Sequence, residues 1–135
     1  MPRYWLCILS PENYEVVKSN LLWGVSERHK DKLYQIKPHD LLVLYVIGER
    51  KIKGIYEVIS EPYKEETKIF ADDIYPYRVK LKPIKLSDEG IDLKKFITQL
   101  SIFKRKDRFW AGILQGRAMI ELTEQDFNKI FRELR

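Results

Sequence analysis

Cysteine is almost missing: Cys7 is the only one in 135 residues, so no disulfide can close within the chain. Histidine is equally scarce, with His29 and His39 alone, which leaves no Cys/His cluster for a tetrahedral zinc site; no metal and no cofactor is expected. Long hydrophobic runs are absent too. The longest uninterrupted apolar stretch, Leu41–Ile47, has seven residues, far short of the ~20 that span a bilayer. The opening MPRYWLCILSPEN lacks the layout of a secretory signal, and a cytoplasmic location with no membrane contact is expected. The sequence contains no P-loop, no nucleophile elbow and no G-x-G-x-x-G behind a strand. No acid, base and nucleophile can be assembled, so the expectation is a protein that is not an enzyme. Asn and Gln number only three and four beside sixteen Lys and fifteen Ile, a bias seen in proteins from hot environments.

What is present describes a compact domain. A mass of 16.2 kDa with 44% hydrophobic and 33% charged residues suits one core, and no linker-like segment divides the chain, so residues 1–135 read as a single domain. Twenty-five Lys and Arg against twenty Asp and Glu give a net charge of +5, which suits a polyanionic partner without requiring one. Aromatic residues make up 13% of the chain, more than a core of this size needs, so some are expected near the surface.

Tyr4–Leu9 is apolar throughout, too short for a helix and suited to a strand buried on both faces. Ser10 and Pro11 then supply an N-cap and a first helical residue for a helix reaching about Asn20. A loop containing Trp23-Gly24-Val25 leads to a second short helix over Arg28–Ile36, stopped by Pro38. Residues 41–47 and 52–59 read as a hairpin, followed by a strand over 75–83 with Tyr75, Tyr77, Val79 and Leu81 on a core face and Arg78, Lys80 and Lys82 on a basic one. Leu93, Phe96, Ile97 and Leu100 form a helical stripe behind Asp92. A last strand over 118–122 precedes a helix capped by Thr123 and carrying Phe127, Ile130, Phe131 and Leu134. The fold class is α+β, a twisted sheet curled toward a barrel with short helices at its edges. Asp72-Asp73 reads as a solvated pair rather than a metal site. Trp23 beside Gly24 is either a stacking platform or a plug in the core.

The order of these segments carries a resemblance. Tyr4-Trp5-Leu6 leading into Ser10-Pro11-Glu12, then Trp23-Gly24-Val25, Lys37-Pro38-His39-Asp40, Gly54-Ile55-Tyr56-Glu57-Val58 and Tyr75-Pro76-Tyr77-Arg78-Val79, closed by 120–127, resembles an EVE domain of the PUA-like superfamily, related to YTH domains. The resemblance covers essentially the whole chain. It implies a PUA-like curled sheet and a pocket that receives a modified, methyl-bearing nucleobase extruded from RNA or DNA, enclosed by aromatic walls and read by polar groups. It assigns Trp23 to the first wall, and places Asn13 and Ser10 at the base. The second wall is expected from the loop after residue 59, where Tyr63 is preferred over Phe70, with Tyr45 beneath. Arg117, and more broadly Lys104, Arg105 and Lys106, are expected on backbone phosphate. Two positions depart from the pattern: His39 stands where the family usually has Gly, and Gly24 where YTH proteins often carry a small hydroxyl residue. The alternative is a small-metabolite-binding or protein-interaction module on the same fold. The oligomeric state is not legible.

Overall fold

The computed structural model describes residues 2–103, 114 and 116–134. Seven strands, β1 Tyr4–Leu9, β2 Leu22–Val25, β3 Leu41–Val46, β4 Lys51–Val58, β5 Tyr63–Lys64, β6 Tyr77–Asp92 and β7 Met119–Leu122, form one sheet in the order β2-β6-β4-β3-β1-β7, with β5 also on β6. β1 and β3 run parallel and every other pairing is antiparallel, so the sheet is mixed. Its curl comes from β6, which spans sixteen residues. Residues 77–80 pair with β2 and residues 81–92 with β4, across two register shifts that bend the sheet into a half-barrel. Around it lie α1 Pro11–Asn20, α2 Lys30–Leu33, α3 Glu124–Glu133 and the 3-10 turns Glu27–His29 and Leu93–Gln99. No described helix is long and apolar enough to cross a membrane.

Local chemistry explains the elements. Ser10 Oγ accepts from the Asn13 amide at 3.2 Å and Pro11 opens α1, which ends where Leu21 turns left-handed at φ 53°. Thr123 Oγ1 caps α3 by accepting from the Asp126 amide at 3.1 Å. Two apolar clusters cover the two faces of the sheet. One gathers Trp5, Cys7, Trp23, Leu42, Leu44 and Val79, and the other Leu6, Val43, Ile55, Phe96, Phe127 and Ile130, as period-two alternation in β1 and β3 requires.

Several expectations are corrected. Trp23-Gly24-Val25 is not a loop but most of β2, paired with Val79, Arg78 and Tyr77. The helix expected over 28–36 is a 3-10 turn followed by the single turn of α2, after which Ile36 N bonds Leu33 O in a tighter i to i+3 pattern. The stripe behind Asp92 is also 3-10; the Asp92 carboxylate still accepts from the Lys94 amide. Arg78 does not sit on a basic solvent face. It is 1% exposed, because its guanidinium finds backbone acceptors inside: Tyr75 O at 3.0 Å, Ile74 O at 2.9 Å and Thr67 O at 2.5 Å. His39 has φ 78°, a left-handed conformation that glycine adopts without strain, which accounts for the Gly usual at this place in the family it resembles.

Candidate functional site

A cavity of about 700 Å³ opens where the sheet ends. The β1–α1 junction contributes Leu9, Ser10 and Asn13, and β2 contributes Trp23 and Gly24. Tyr45, Gly48 and Arg50 reach it from the β3–β4 hairpin, Arg28 and His29 from the 3-10 turn. The segment before β6 supplies Phe70, Asp72, Asp73 and Tyr75, and Leu114, Gly116, Arg117 and Ala118 close the far side.

Three aromatic side chains form walls. Trp23 is 4% exposed, packed into the core on one side while lining the cavity, and its indole Nε1–H has no hydrogen-bond partner among the described residues. A buried donor left unpaired costs stability. Phe70 and Tyr75 meet edge to face, with ring centroids 5.2 Å apart and planes at 86°. Gly24 makes this approach possible. A Cβ there would lie 2.8 Å from Tyr75 O and 3.3 Å from the Arg78 side chain, so even a small side chain would displace the segment. That segment is held from behind by Arg78, whose three carbonyl contacts fix the backbone at Thr67, Ile74 and Tyr75. Tyr75 itself sits at φ 47°, a strained conformation that these contacts sustain.

A polar network stands at one wall. Asn13 Nδ2 donates to Asp72 Oδ1 at 3.2 Å, and the Tyr75 hydroxyl donates to Asp72 Oδ2 at 2.6 Å. Desolvation pushes the Asp72 carboxyl up, but hydrogen bonds from Tyr75, Asn13 and the backbone outweigh it and hold the group below its ordinary value. Burial, then the bond to Asp72, pushes the Tyr75 phenol up to about 12. Both groups therefore keep these roles, ionised acceptor and neutral donor, across the physiological range.

Cations mark the mouth. Arg28, Arg50 and Arg117 line the cavity with His29, whose pKa is lowered by burial and then by Arg28. Gly116 is left-handed at φ 69°, and a Cβ on it would lie 3.3 Å from the Arg28 guanidinium. The turn carrying Arg28 is anchored by Tyr77, whose hydroxyl donates to Glu27. No group of three or more His, Cys, Asp or Glu able to hold a metal exists among the described residues.

Residues 3–133 match the EVE domain family. The chain belongs to the EVE domain family. The UPF0310 protein PH1033 of Pyrococcus horikoshii is 44% identical, over 94% of this chain and 95% of its own, and the UPF0310 protein PYRAB08750 of Pyrococcus abyssi is 42% identical over 94% and 96%. Among solved structures, the Pho92 YTH domain in complex with m6A superposes with a TM-score of 0.74 at 13% identity, covering 97% of this chain and 84% of that one. At this identity the likeness shows the fold, a curled PUA-like sheet shared by EVE and YTH domains.

In this EVE domain Ser10, Asn13, Trp23, Tyr45 and Arg117 line one cavity. Tyr63 does not line it. It lies on β5, along the edge of β6 opposite to β2, with Lys80 Nζ 6.0 Å from its ring. From the segment after β4, Phe70 and Tyr75 line it instead. Lys104, Arg105 and Lys106 fall outside the described residues. Sequence reasoning missed Tyr75, assigned to the core face of a strand; Asp72 is exposed, as its reading as a solvated residue has it, and its bonds to Asn13 and Tyr75 carried no sequence signal. It also missed Arg28 and Arg50, which carry no local signal beyond their charge.

Proposed function

We propose that residues 1–135 act as one non-catalytic nucleic-acid-binding domain that takes a modified, methyl-bearing base into the cavity. The observation that carries this is Trp23: an indole seated in the core whose ring borders an open cavity lined by further aromatic side chains. A flat, methylated base offers that indole a stacking partner. Phe70 and Tyr75 then enclose the apolar substituent, Asn13 and Ser10 meet the polar edge, and Tyr45 lies below. Arg117, joined by Arg28 and Arg50, holds backbone phosphate at the mouth; phosphate contacts position a strand, and base contacts select it. Two structural neighbours support this reading, an Mmi1 YTH domain in complex with RNA and the Pho92 YTH domain in complex with m6A.

A second reading has one observation in its favour: about 700 Å³ exceeds what a single base fills and lies within the range of small-metabolite sites. Salt dependence separates the two. Phosphate contacts release counterions, so affinity for a mixed-sequence single strand should fall with a log–log slope of roughly 0.7 per phosphate contacted. Arg117→Ala should weaken modified and unmodified strands by similar factors and flatten that slope. Binding that is absent, or indifferent to salt, refutes the nucleic-acid reading and favours the metabolite or protein-interaction module.

A further inference from the structure

Aromatic rings and cations also meet on the surface beside the cavity, on elements the proposed function leaves unused. Arg28 and His29, which line the mouth, end the 3-10 turn Glu27–His29, and the chain runs directly on into α2. The Tyr34 amide bonds to Lys30 O at 3.0 Å, so Lys30 and Tyr34 stand one turn apart on one side of this helix. Both meet the ring of Tyr77. Lys30 Nζ is 5.4 Å from its centroid, and the Tyr34 ring lies edge-on to it at 65° with centroids 6.1 Å apart. From β5, Lys64 Nζ approaches the same ring at 5.7 Å. Tyr77 is buried with its hydroxyl tied to Glu27, so it is a fixed base for the cluster, whereas Tyr34 is 46% exposed.

Charge and shape select the kind of partner. Residues 27–37 hold Arg28, Lys30, Lys32 and Lys37 against Glu27 and Asp31, and the contact of Lys64 with Glu66, 3.5 Å between exposed side chains, is a weak ion pair. Lysine is depleted from the centres of protein–protein interfaces, whereas an exposed ring among cations is what an unpaired strand uses, since every base has a π face. From Arg28 to Tyr34 the helical rise is roughly 10 Å, a few nucleotides of a stacked strand at about 3.4 Å each.

We infer that Tyr34, with Lys30 and Lys64, forms a second contact for the nucleic acid: a stacking platform for an unpaired nucleotide that flanks the one in the cavity, with the two lysines on its phosphates. The inference rests on the nucleic-acid-binding function proposed above and extends it beyond the cavity. The domain holds a single strand over several nucleotides and grips one side of the modified base more than the other. The platform adds affinity without choosing the base. A duplex, whose bases are already stacked on one another, gains nothing from it.

The test uses the whole chain and single-stranded oligonucleotides. A three-nucleotide core carries N6-methyladenine, 5-methylcytosine or an unmodified base at its centre, and the same cores are lengthened by three nucleotides on the 5′ side or on the 3′ side. At fixed salt, lengthening on one side should raise wild-type affinity about 5- to 150-fold, and on the other side much less. Tyr34→Ala, checked for folding by thermal unfolding, should abolish that gain and leave binding of the core unchanged, while Tyr34→Phe keeps both the ring and the gain. Across a salt series, Lys30→Gln with Lys64→Gln should lower the log–log slope of the lengthened strand by roughly 1.4 and leave that of the core as it was. No gain from lengthening, an equal gain from both sides, or a gain that persists in folded Tyr34→Ala overturns the inference. If modified and unmodified cores bind alike while the one-sided gain still depends on Tyr34, the base-reading function fails and the platform stands. If no strand of any length binds, both fall and the patch is left to a protein partner.

Discussion

Replacing Arg78 with Met tests whether one buried cation organises the site. Methionine keeps the apolar stem in place and removes only the guanidinium. Three carbonyl acceptors are then lost, at Thr67, Ile74 and Tyr75, with the 3.6 Å contact to Glu65. Hydrogen bonds from a charged donor contribute roughly 1.5 to 3 kcal/mol each, but they do not add, and water can reach the exposed carbonyls at Thr67 and Ile74 once the donor is gone. Glu65 is half exposed and its ion pair adds little. A net cost of about 2 to 4 kcal/mol follows, which lowers the melting temperature of a domain this size by roughly 8 to 15 °C. Arg78→Lys should not rescue it, because a point-charged ammonium cannot serve three carbonyls spread along a loop. The same variant frees the segment bearing Phe70, Asp72 and Tyr75, so any preference for a modified base should fall further than affinity for an unmodified strand. Calorimetry and oligonucleotide titration on one preparation read both effects. A melting temperature unchanged within about 2 °C, with discrimination intact, would refute the idea that Arg78 builds the wall.

Gly24→Ala should cost about 1 to 3 kcal/mol by overpacking against Tyr75 O, and should weaken base discrimination by moving the Tyr75 segment; a variant as stable and selective as wild type would show that the close approach is dispensable. His39→Gly should be neutral or stabilising by up to about 1 kcal/mol, since it relieves the left-handed strain and loses only a surface contact to Glu57, and a clear drop in melting temperature would contradict this. The Asp72 carboxyl sits below its unfolded value, so its contribution is complete above about pH 4 and disappears as pH falls through the folded pKa. The melting-temperature gap between wild type and Asp72→Ala should therefore be flat from about pH 5 to 8 and close in stronger acid; a gap that widened in acid would reverse the sign.

Elements whose cause is local were legible in the sequence. Ser10-Pro11 starts α1 and Thr123 starts α3, each with the capping bond its side chain implies. β1 and β3 each follow from an unbroken apolar run, and β4 from a segment rich in Ile, Tyr and Val across a short turn from β3. What escaped is set by distant partners. Arg78 alternates with core residues and reads as solvent-facing until the carbonyls that bury it are brought over by the segment at 67–75. Tyr75 continues the strand period on paper, yet its φ of 47° turns it out of the sheet and into the cavity wall. Trp23 was legible as a residue of interest, but not that pairing with Val79 makes it part of a strand while its ring still borders open space. Tyr63 and Phe70 lie seven positions apart on one connecting segment, and nothing local tells which of them folds toward Trp23.

The central claim is that the cavity receives a modified base. Its most direct test is the affinity of the wild-type protein, at one fixed salt concentration, for otherwise identical oligonucleotides carrying methylcytosine, hydroxymethylcytosine, methyladenine or no modification. Enclosure of the added methyl group by Phe70 and Tyr75 predicts that at least one modified strand binds about 5- to 150-fold more tightly than the unmodified one. Equal affinity for all four would contradict it.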